Sequence, residues 1–338
     1  MKICVVGAGA IGGLLAAKLA HAGEDVAVIA RGPHLAAIRA NGLKLIEADD
    51  QGASKEIVAK VAATDKIAEA GARDLVVLGM KAHQVAAVVP DLPALYGPDT
   101  MVLTAQNGIP WWYFFKHGGP YEGRTLESVD PGGVIAAGIP LERVIASVVY
   151  PAAEIVAPGT IKHIEGVRFS LAEIDNSSSE RLKRVSESLR KAGFRAPIVS
   201  DVRAEIWTKL WGNLSFNPIS ALTHATLEDL CRFPPTRALV AEMMREAQTI
   251  GEALGIQFRV PIEKRIAGGE AVGAHKTSML QDVEIGRAVE ADALIGSVIE
   301  LGRITALPTP HLDSAYALVK LLNKTLQDAK GRLKITPA

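Results

Sequence analysis

A glycine-rich turn close to the start of the chain limits the possible folds more than any other feature. Gly7-Ala8-Gly9-Ala10-Ile11-Gly12-Gly13 follows the apolar run Lys2–Gly7 and opens an alanine-rich segment. In a strand–turn–helix unit the first glycine permits the tight turn and the second lets backbone N–H groups approach a pyrophosphate. The third lets the helix pack closely on the strand. The phosphates then sit at a helix N-terminus, where unpaired N–H groups and the helix dipole favour anions. The pattern predicts dinucleotide binding by Gly7, Ala8, Gly9, Ala10, Ile11 and Gly12. An NAD-binding unit usually ends its second strand on an acid that holds the ribose 2′-hydroxyl. Here that strand ends Val28-Ile29-Ala30-Arg31-Gly32. A guanidinium suits a 2′-phosphate, so Arg31 favours NADPH/NADP+, the alternative being a solvated surface arginine.

The rest of the first half continues the pattern. Asp25–Ala30, Asp74–Gly79 and Met101–Ala105 read as buried strands separated by alanine-rich helical segments such as Leu14–Ala22 and Leu35–Ala40. Alternation of this kind implies a parallel, doubly wound sheet. Arg143–Tyr150 and Gly159–Leu171 are expected to extend it with antiparallel strands, and Ser177–Ala192 to form a serine-capped, solvent-facing helix. Beyond about residue 200 almost every segment has helical period, including Thr236–Leu254, Asp282–Leu301 and Leu312–Lys330, with prolines in the gaps. The expected fold class is α/β: an N-terminal Rossmann-type doubly wound sheet over 1–200 and an all-α substrate-binding and catalytic domain over 201–338. The 338 residues suffice for two domains at roughly 150 residues each. One segment fits neither half. Ile109–Pro140 holds Trp111-Trp112-Tyr113-Phe114-Phe115 and a stretch rich in glycine and proline. It reads equally as a functional loop or as a plug.

Charge and cysteine content narrow the function classes. Thirty-seven basic and 37 acidic side chains balance to a formal net charge of zero, and no basic stripe points to nucleic acid. A small-molecule partner is the expectation. Cys4 and Cys231 show neither pairing nor metal-ligand spacing, which predicts a reducing, cytoplasmic setting and no metal. Lys2 and the apolar stretch up to Ala20-His21-Ala22 mimic a secretion signal, but the glycines at 7, 9, 12 and 13 interrupt it. No run of about 18 apolar residues suggests a membrane span. A large helical domain also offers a face on which a homodimer could form.

Three clusters carry the chemistry. Lys81-Ala82-His83-Gln84 and Gln106-Asn107-Gly108 each follow a predicted strand, and so fall at the carboxyl edge where open α/β sheets bind ligands. A surface lysine and a simple Asn-Gly turn are their alternative readings. In Glu205–Pro218, Lys209, Asn213 and Asn217 fall at i, i+4 and i+8 on one helical face. Two asparagines, poor helix formers, stacked beneath a lysine point to a polar pocket, with an exposed polar stripe as the alternative.

Together these residues make the sequence resemble the ketopantoate reductase family. The resemblance runs from Gly7–Gly13 and Arg31, through Lys81–Gln84 and Asn107-Gly108, to Trp207-x-Lys209-Leu210-x-x-Asn213-x-x-x-Asn217-Pro218. It ends in Ser278-Met279-Leu280-Gln281-Asp282 followed by Glu290. It implies NADPH-dependent reduction of 2-dehydropantoate (ketopantoate) to pantoate on the route to pantothenate and coenzyme A. Lys209 would be the general acid and Glu290 would hold the substrate hydroxyl. Asn213 and Asn217 would hold substrate oxygens, and Ser278 the substrate carboxylate. Asn107 would lie beside both nicotinamide ribose and substrate, and Lys81 would face the cofactor. The helical period of Asp282–Leu301 would place Asp282 and Glu290 on one face about two turns apart. The 117–138 stretch looks longer than the family's usual connection. Its aromatic neighbours raise the alternative of another branched or bulky 2-keto acid. A third reading, a non-catalytic NADP(H) sensor, fits poorly with intact Lys209, Asn213, Ser278 and Glu290.

Overall fold

The computed structural model describes residues 1–48 and 52–331. The chain divides into two compact units. The first holds Met1–Asn107, Trp111–Thr125 and Gly132–Val202. The second holds Gly108–Pro110, Leu126–Pro131 and the residues from Arg203 onward. The last residues of the expected helical domain, 332–338, lie outside the described residues.

Among the described residues the first unit contains eleven strands. They are β1 (Lys2–Val6), β2 (Asp25–Ile29), β3 (Leu43–Ala48), β4 (Ser54–Ala59), β5 (Ala62–Thr64) and β6 (Arg73–Leu78), then β7 (Tyr96–Thr104), β8 (Val144–Val149), β9 (Ala152–Ala157), β10 (Thr160–Glu165) and β11 (Phe169–Glu173). Seven form the main sheet, in the order β11-β8-β7-β6-β1-β2-β5. All its pairings are parallel except β11 against β8. Strand order reverses at β1, the switch point beside which ligands bind in such sheets. The other four form a second sheet, β4-β3-β10-β9.

Two expectations are corrected here. The Arg143–Tyr150 run forms β8, which joins the sheet parallel to β7; only its pairing with β11 is antiparallel. The Gly159–Leu171 run is split, with β10 in the second sheet and β11 in the first. The polar positions that gave these runs their mixed character follow the split. β8 and β11 are buried throughout, whereas β10 alternates inward Ile161 with exposed Lys162.

The helices of the first unit are α1 (Ala10–His21), α2 (Gly32–Asn41), the short α3 (Val134–Gly138) and α4 (Glu180–Lys191). The middle of helix α1, Gly12–Ala17 with Leu19, is buried, because both sheets cover it. A side chain at Gly12 would overlap the Gly7 carbonyl on the side of the main sheet. One at Gly13 would come within 2.7 Å of Ile161 Cδ1 in the second sheet. Ser179 caps α4 by accepting the Leu182 N–H at 3.1 Å.

The aromatic segment is a plug. Trp112, Tyr113 and Phe114 are at most 1% exposed, and Trp112 Nε1 donates to Thr104 Oγ1 at 3.3 Å. Tyr113 and Phe114 meet edge to face at 5.0 Å.

The second unit is helical: α5 (Val202–Thr223), α6 (Leu227–Arg232), α7 (Pro234–Ala253), α8 (Ile262–Ala271), α9 (Ser278–Glu284), α10 (Ser297–Ile304) and α11 (Pro310–Asp328). A π-helical turn, Asp292–Gly296, leads into α10. The expected single helix over Asp282–Leu301 is therefore broken. Its interruption centres on Gly286, which adopts φ +70° and packs against Gly331. No helix of the described residues is long and apolar enough to cross a membrane.

Trp112 tests the plug. Trp112→Ala is expected to destabilise the protein by about 3–5 kcal/mol, the usual loss for a buried tryptophan, read as a lower denaturation midpoint.

Candidate functional site

In the first unit the carboxyl ends of β1, β2 and β6 meet at the glycine turn. Gly7 adopts φ +95°, the left-handed region that favours glycine. The Gly7 and Ala8 N–H groups both donate to the Ile29 carbonyl at 3.1 Å, tying the turn to the end of β2 two residues before Arg31. Gly79 N–H donates to the Val6 carbonyl at 2.9 Å. A side chain at Gly79 would fall 2.8 Å from both Gly12 Cα and the Gly7 oxygen. Gly79 is thus the fourth glycine of the turn, which the fingerprint does not include because it arrives from β6.

Helix α1 starts at Gly9 with no capping side chain and no acid in its first turn. Its leading N–H groups and the dipole are left to an anion from outside, and the glycine cradle admits one closely. The residues present therefore fit a dinucleotide. Arg31 is exposed and precedes the first turn of α2 in extended conformation. Lys81, partly exposed, precedes the single turn Ala82–Gln84, and its N–H donates to Gln84 Oε1 at 3.2 Å. Gln106 binds this edge together: its Nε2 donates to the Leu78 and Met80 carbonyls at 2.6 and 3.1 Å. Asn107 follows it directly, half-buried.

The second unit holds Lys209, Asn213, Asn217, Ser278 and Glu290. On α5, Trp207 and Trp211 are buried against Phe258, and Trp211 Nε1 donates to the Met244 carbonyl at 2.7 Å. That anchorage leaves Lys209 and Asn213 partly exposed on the opposite strip, with Asn217 buried at 5% exposure. Pro218 lacks the N–H that would otherwise bond the Leu214 carbonyl. Desolvation pushes the Lys209 ammonium down to about 8, and the charge of Glu290 opposes that fall. The structure thus brings Lys209 and Glu290 into electrostatic range.

It does not place Asp282 and Glu290 on one helical face. Asp282 lies in α9, whereas Glu290 follows the break, and its carbonyl accepts from Leu294 at the head of the next helical stretch. Ser278 is the exposed first residue of α9, behind the cap Thr277.

The π-turn after Glu290 makes a contact that has no local sequence signature. The Ala293 carbonyl accepts the Ile109 N–H at 3.1 Å and the Ser297 hydroxyl at 2.8 Å. Gly108, at φ +91°, lies so close that any side chain would overlap that carbonyl. Asp292 holds the turn from the other side through Tyr316 Oη and Lys320 Nζ. The Gly108-Ile109 backbone is therefore clamped three residues from Glu290. Among the described residues no group of three or more His, Cys, Asp or Glu side chains is placed to hold a metal ion.

A parallel sheet with a glycine turn at its switch point, followed by a helical unit carrying a lysine of lowered basicity, defines a two-domain dehydrogenase. The model of the family "Ketopantoate reductase PanE/ApbA" matches residues 3–176, and that of its C-terminal part matches residues 201–323. The chain belongs to the ketopantoate reductase family. It is 54% identical to a 2-dehydropantoate 2-reductase of Mesorhizobium japonicum, over 95% of this chain and 98% of that one. A crystal structure of a candidate ketopantoate reductase from Ralstonia solanacearum MolK2 superposes with TM-score 0.90. It is 39% identical and covers 96% of this chain and 98% of its own. A D-mandelate dehydrogenase solved with NADH and anilino(oxo)acetate shares the fold at TM-score 0.81 and 23% identity, covering 97% of this chain and 99% of its own.

The lowered basicity of Lys209 has a consequence for stability. Below pH 8 the folded chain must carry an ammonium that its surroundings resist. That penalty is on the order of 3 kcal/mol at 1.36 kcal/mol per pH unit. Between about 8 and 10.5 the folded state releases the proton before the unfolded state does, and the penalty disappears. Lys209→Met should therefore raise the melting temperature by a few degrees at pH 7, and by much less at pH 10.

Proposed function

We propose that this chain reduces 2-dehydropantoate (ketopantoate) to pantoate with NADPH as the donor. The observation that carries the reading is Lys209, on the same face of α5 as Asn213 and Asn217, within range of the Glu290 charge and pushed down to about 8 by desolvation. A general acid works best when its basicity lies near the operating pH. The relationship to the Mesorhizobium enzyme over nearly the whole chain supports the substrate.

NADPH, when bound, would supply the hydride. The uncapped N-terminus of α1 and the cradle of Gly7, Ala8, Gly9, Ala10, Ile11 and Gly12 would hold its pyrophosphate. Arg31 would pair with the 2′-phosphate, Lys81 would face the cofactor, and Asn107 would lie by the nicotinamide ribose and substrate. The Lys209 ammonium donates a hydrogen bond to the keto oxygen, polarises the carbonyl, and gives up its proton as the alkoxide forms. Glu290 keeps that ammonium charged before transfer and holds the substrate hydroxyl. Asn213 and Asn217 hold substrate oxygens, and the Ser278 hydroxyl binds near the carboxylate.

The aromatic segment gave the reason to consider a bulkier keto acid, and its burial in the first unit removes that reason. A role limited to cofactor binding would leave the desolvated lysine without a use.

Three measurements test this reading. Lys209→Ala is expected to lower kcat by at least about a thousandfold, a general acid alone being worth 10²–10⁴, while the Kd for NADPH stays near wild type. In the wild type, kcat/KM should fall tenfold per pH unit above about 8, as the ammonium loses its proton. A flat profile to pH 9.5 would remove Lys209 as the acid. Arg31→Ala should raise the KM for NADPH about 10- to 100-fold, as expected for a lost charge-assisted phosphate contact, and leave NADH nearly unaffected. Equal losses with both cofactors would show that Arg31 does not read the 2′-phosphate.

A further inference from the structure

Glycine in a helix interior is less favourable than alanine. Gly212 nevertheless sits at the centre of α5, where there is no turn to make. What it provides is space. A Cβ there would overlap the Nη2 end of Arg265 and stand 3.0 Å from its Cζ. The guanidinium therefore lies against the α5 backbone. Phe216, one turn further along, lies beneath it with the ring centroid 5.7 Å from Cζ. Arg265 comes from α8 and is partly exposed. Lys209, Gly212, Asn213 and Phe216 are spaced three or four residues apart and make one continuous strip of α5. Arg265 borders the strip that carries Lys209.

We propose that Arg265 binds the substrate carboxylate, its planar fork gripping both oxygens of the 2-keto acid whose carbonyl faces Lys209. This rests on the reading of the chain as a 2-keto acid reductase. Lys209 and Gly212 are about 4.5 Å apart along the helix axis. The guanidinium supplies parallel donors matched to a carboxylate, which a single serine hydroxyl cannot. The charge balance argues the same way. Lys209 becomes neutral as it delivers its proton, which leaves the product carboxylate beside Glu290. Arg265 stays charged throughout and provides the lasting counter-ion.

The test compares wild type, Arg265→Met and Arg265→Lys on ketopantoate, on a panel of other 2-keto acids and on the neutral keto amide of ketopantoate. NADPH affinity and melting temperature are measured alongside. Arg265→Met should raise the KM for the acid about 30- to 100-fold, the worth of a charge-assisted pair. kcat should stay within a few-fold, the amide KM and the NADPH Kd should be unchanged, and lysine should restore part of the loss. Gly212→Ala, which displaces the guanidinium without removing its charge, should raise the same KM. A KM for the acid within twofold of wild type, with or without a lower melting temperature, overturns the proposal. So does an equal rise for acid and amide. If the wild type reduces another 2-keto acid but not ketopantoate, the same ratios are read on that acid. The carboxylate assignment then stands while the ketopantoate reading falls. If it reduces no 2-keto acid, both fall.

Discussion

The first unit depends on one close approach, in which three stretches of backbone touch with no side chains between them. Gly7 ends β1, Gly12 lies in the first turn of α1, and Gly79 ends β6. A Cβ on Gly12 or on Gly79 would strike the Gly7 carbonyl. Any side chain would push α1 off the sheet and carry its free N–H groups away from the carboxyl edge. The same approach explains the burial of α1. A helix pressed this far into a sheet leaves its opposite side to be covered, and Leu43, Leu45, Ile57 and Ile161 of the second sheet are buried in the same core. The free helix N-terminus at the switch point and the second sheet are thus two results of one packing constraint.

Local rules recover the parts of the fold that depend on local pattern. The parallel strands and the helices between them follow from apolar runs and alanine-rich periods, and Ser179 caps α4 where serines precede a charged helix. The second sheet was not legible. Its strands pair across long separations, with Thr160 opposite Lys44, and no periodicity in one segment reports a partner more than a hundred residues away. The break in Asp282–Leu301 was hidden for a related reason. Gly286 looks like a tolerable helix glycine until Gly331 arrives against it. Burial of the aromatic segment likewise depended on what Trp112 could reach, and the Thr104 hydroxyl lies on a strand already committed to the core.

The site shows the same division. Lys209, Asn213 and Asn217 were readable because an α-helix converts a spacing of four into a shared face. Gly79, Gln106 and the Ala293 carbonyl were not, because each acts on a backbone group from a different element. Gln106 matters through the carbonyls of Leu78 and Met80. Ala293 matters through a carbonyl that also accepts the Ser297 hydroxyl. A π-turn displaces its carbonyls from the regular ladder and makes them available to other donors, which is why such turns gather at functional sites.

The electrostatics of the second unit explain why a lysine is tolerated there. Desolvation alone would favour a neutral amine, which could not serve as an acid, and a full ion pair would hold the proton too firmly. Glu290 opposes the desolvation only in part, which leaves the ammonium near 8. This balance would be disturbed by an anionic substrate, whose carboxylate would raise the lysine's proton affinity and slow its release. A separate, permanent cation for that carboxylate removes the conflict, because it neutralises the arriving charge without competing for the proton. The recess that Gly212 opens for the Arg265 guanidinium lies on the same strip of α5, one turn from the lysine. Proton delivery and anion recognition can then be assigned to different cations on a single helix face.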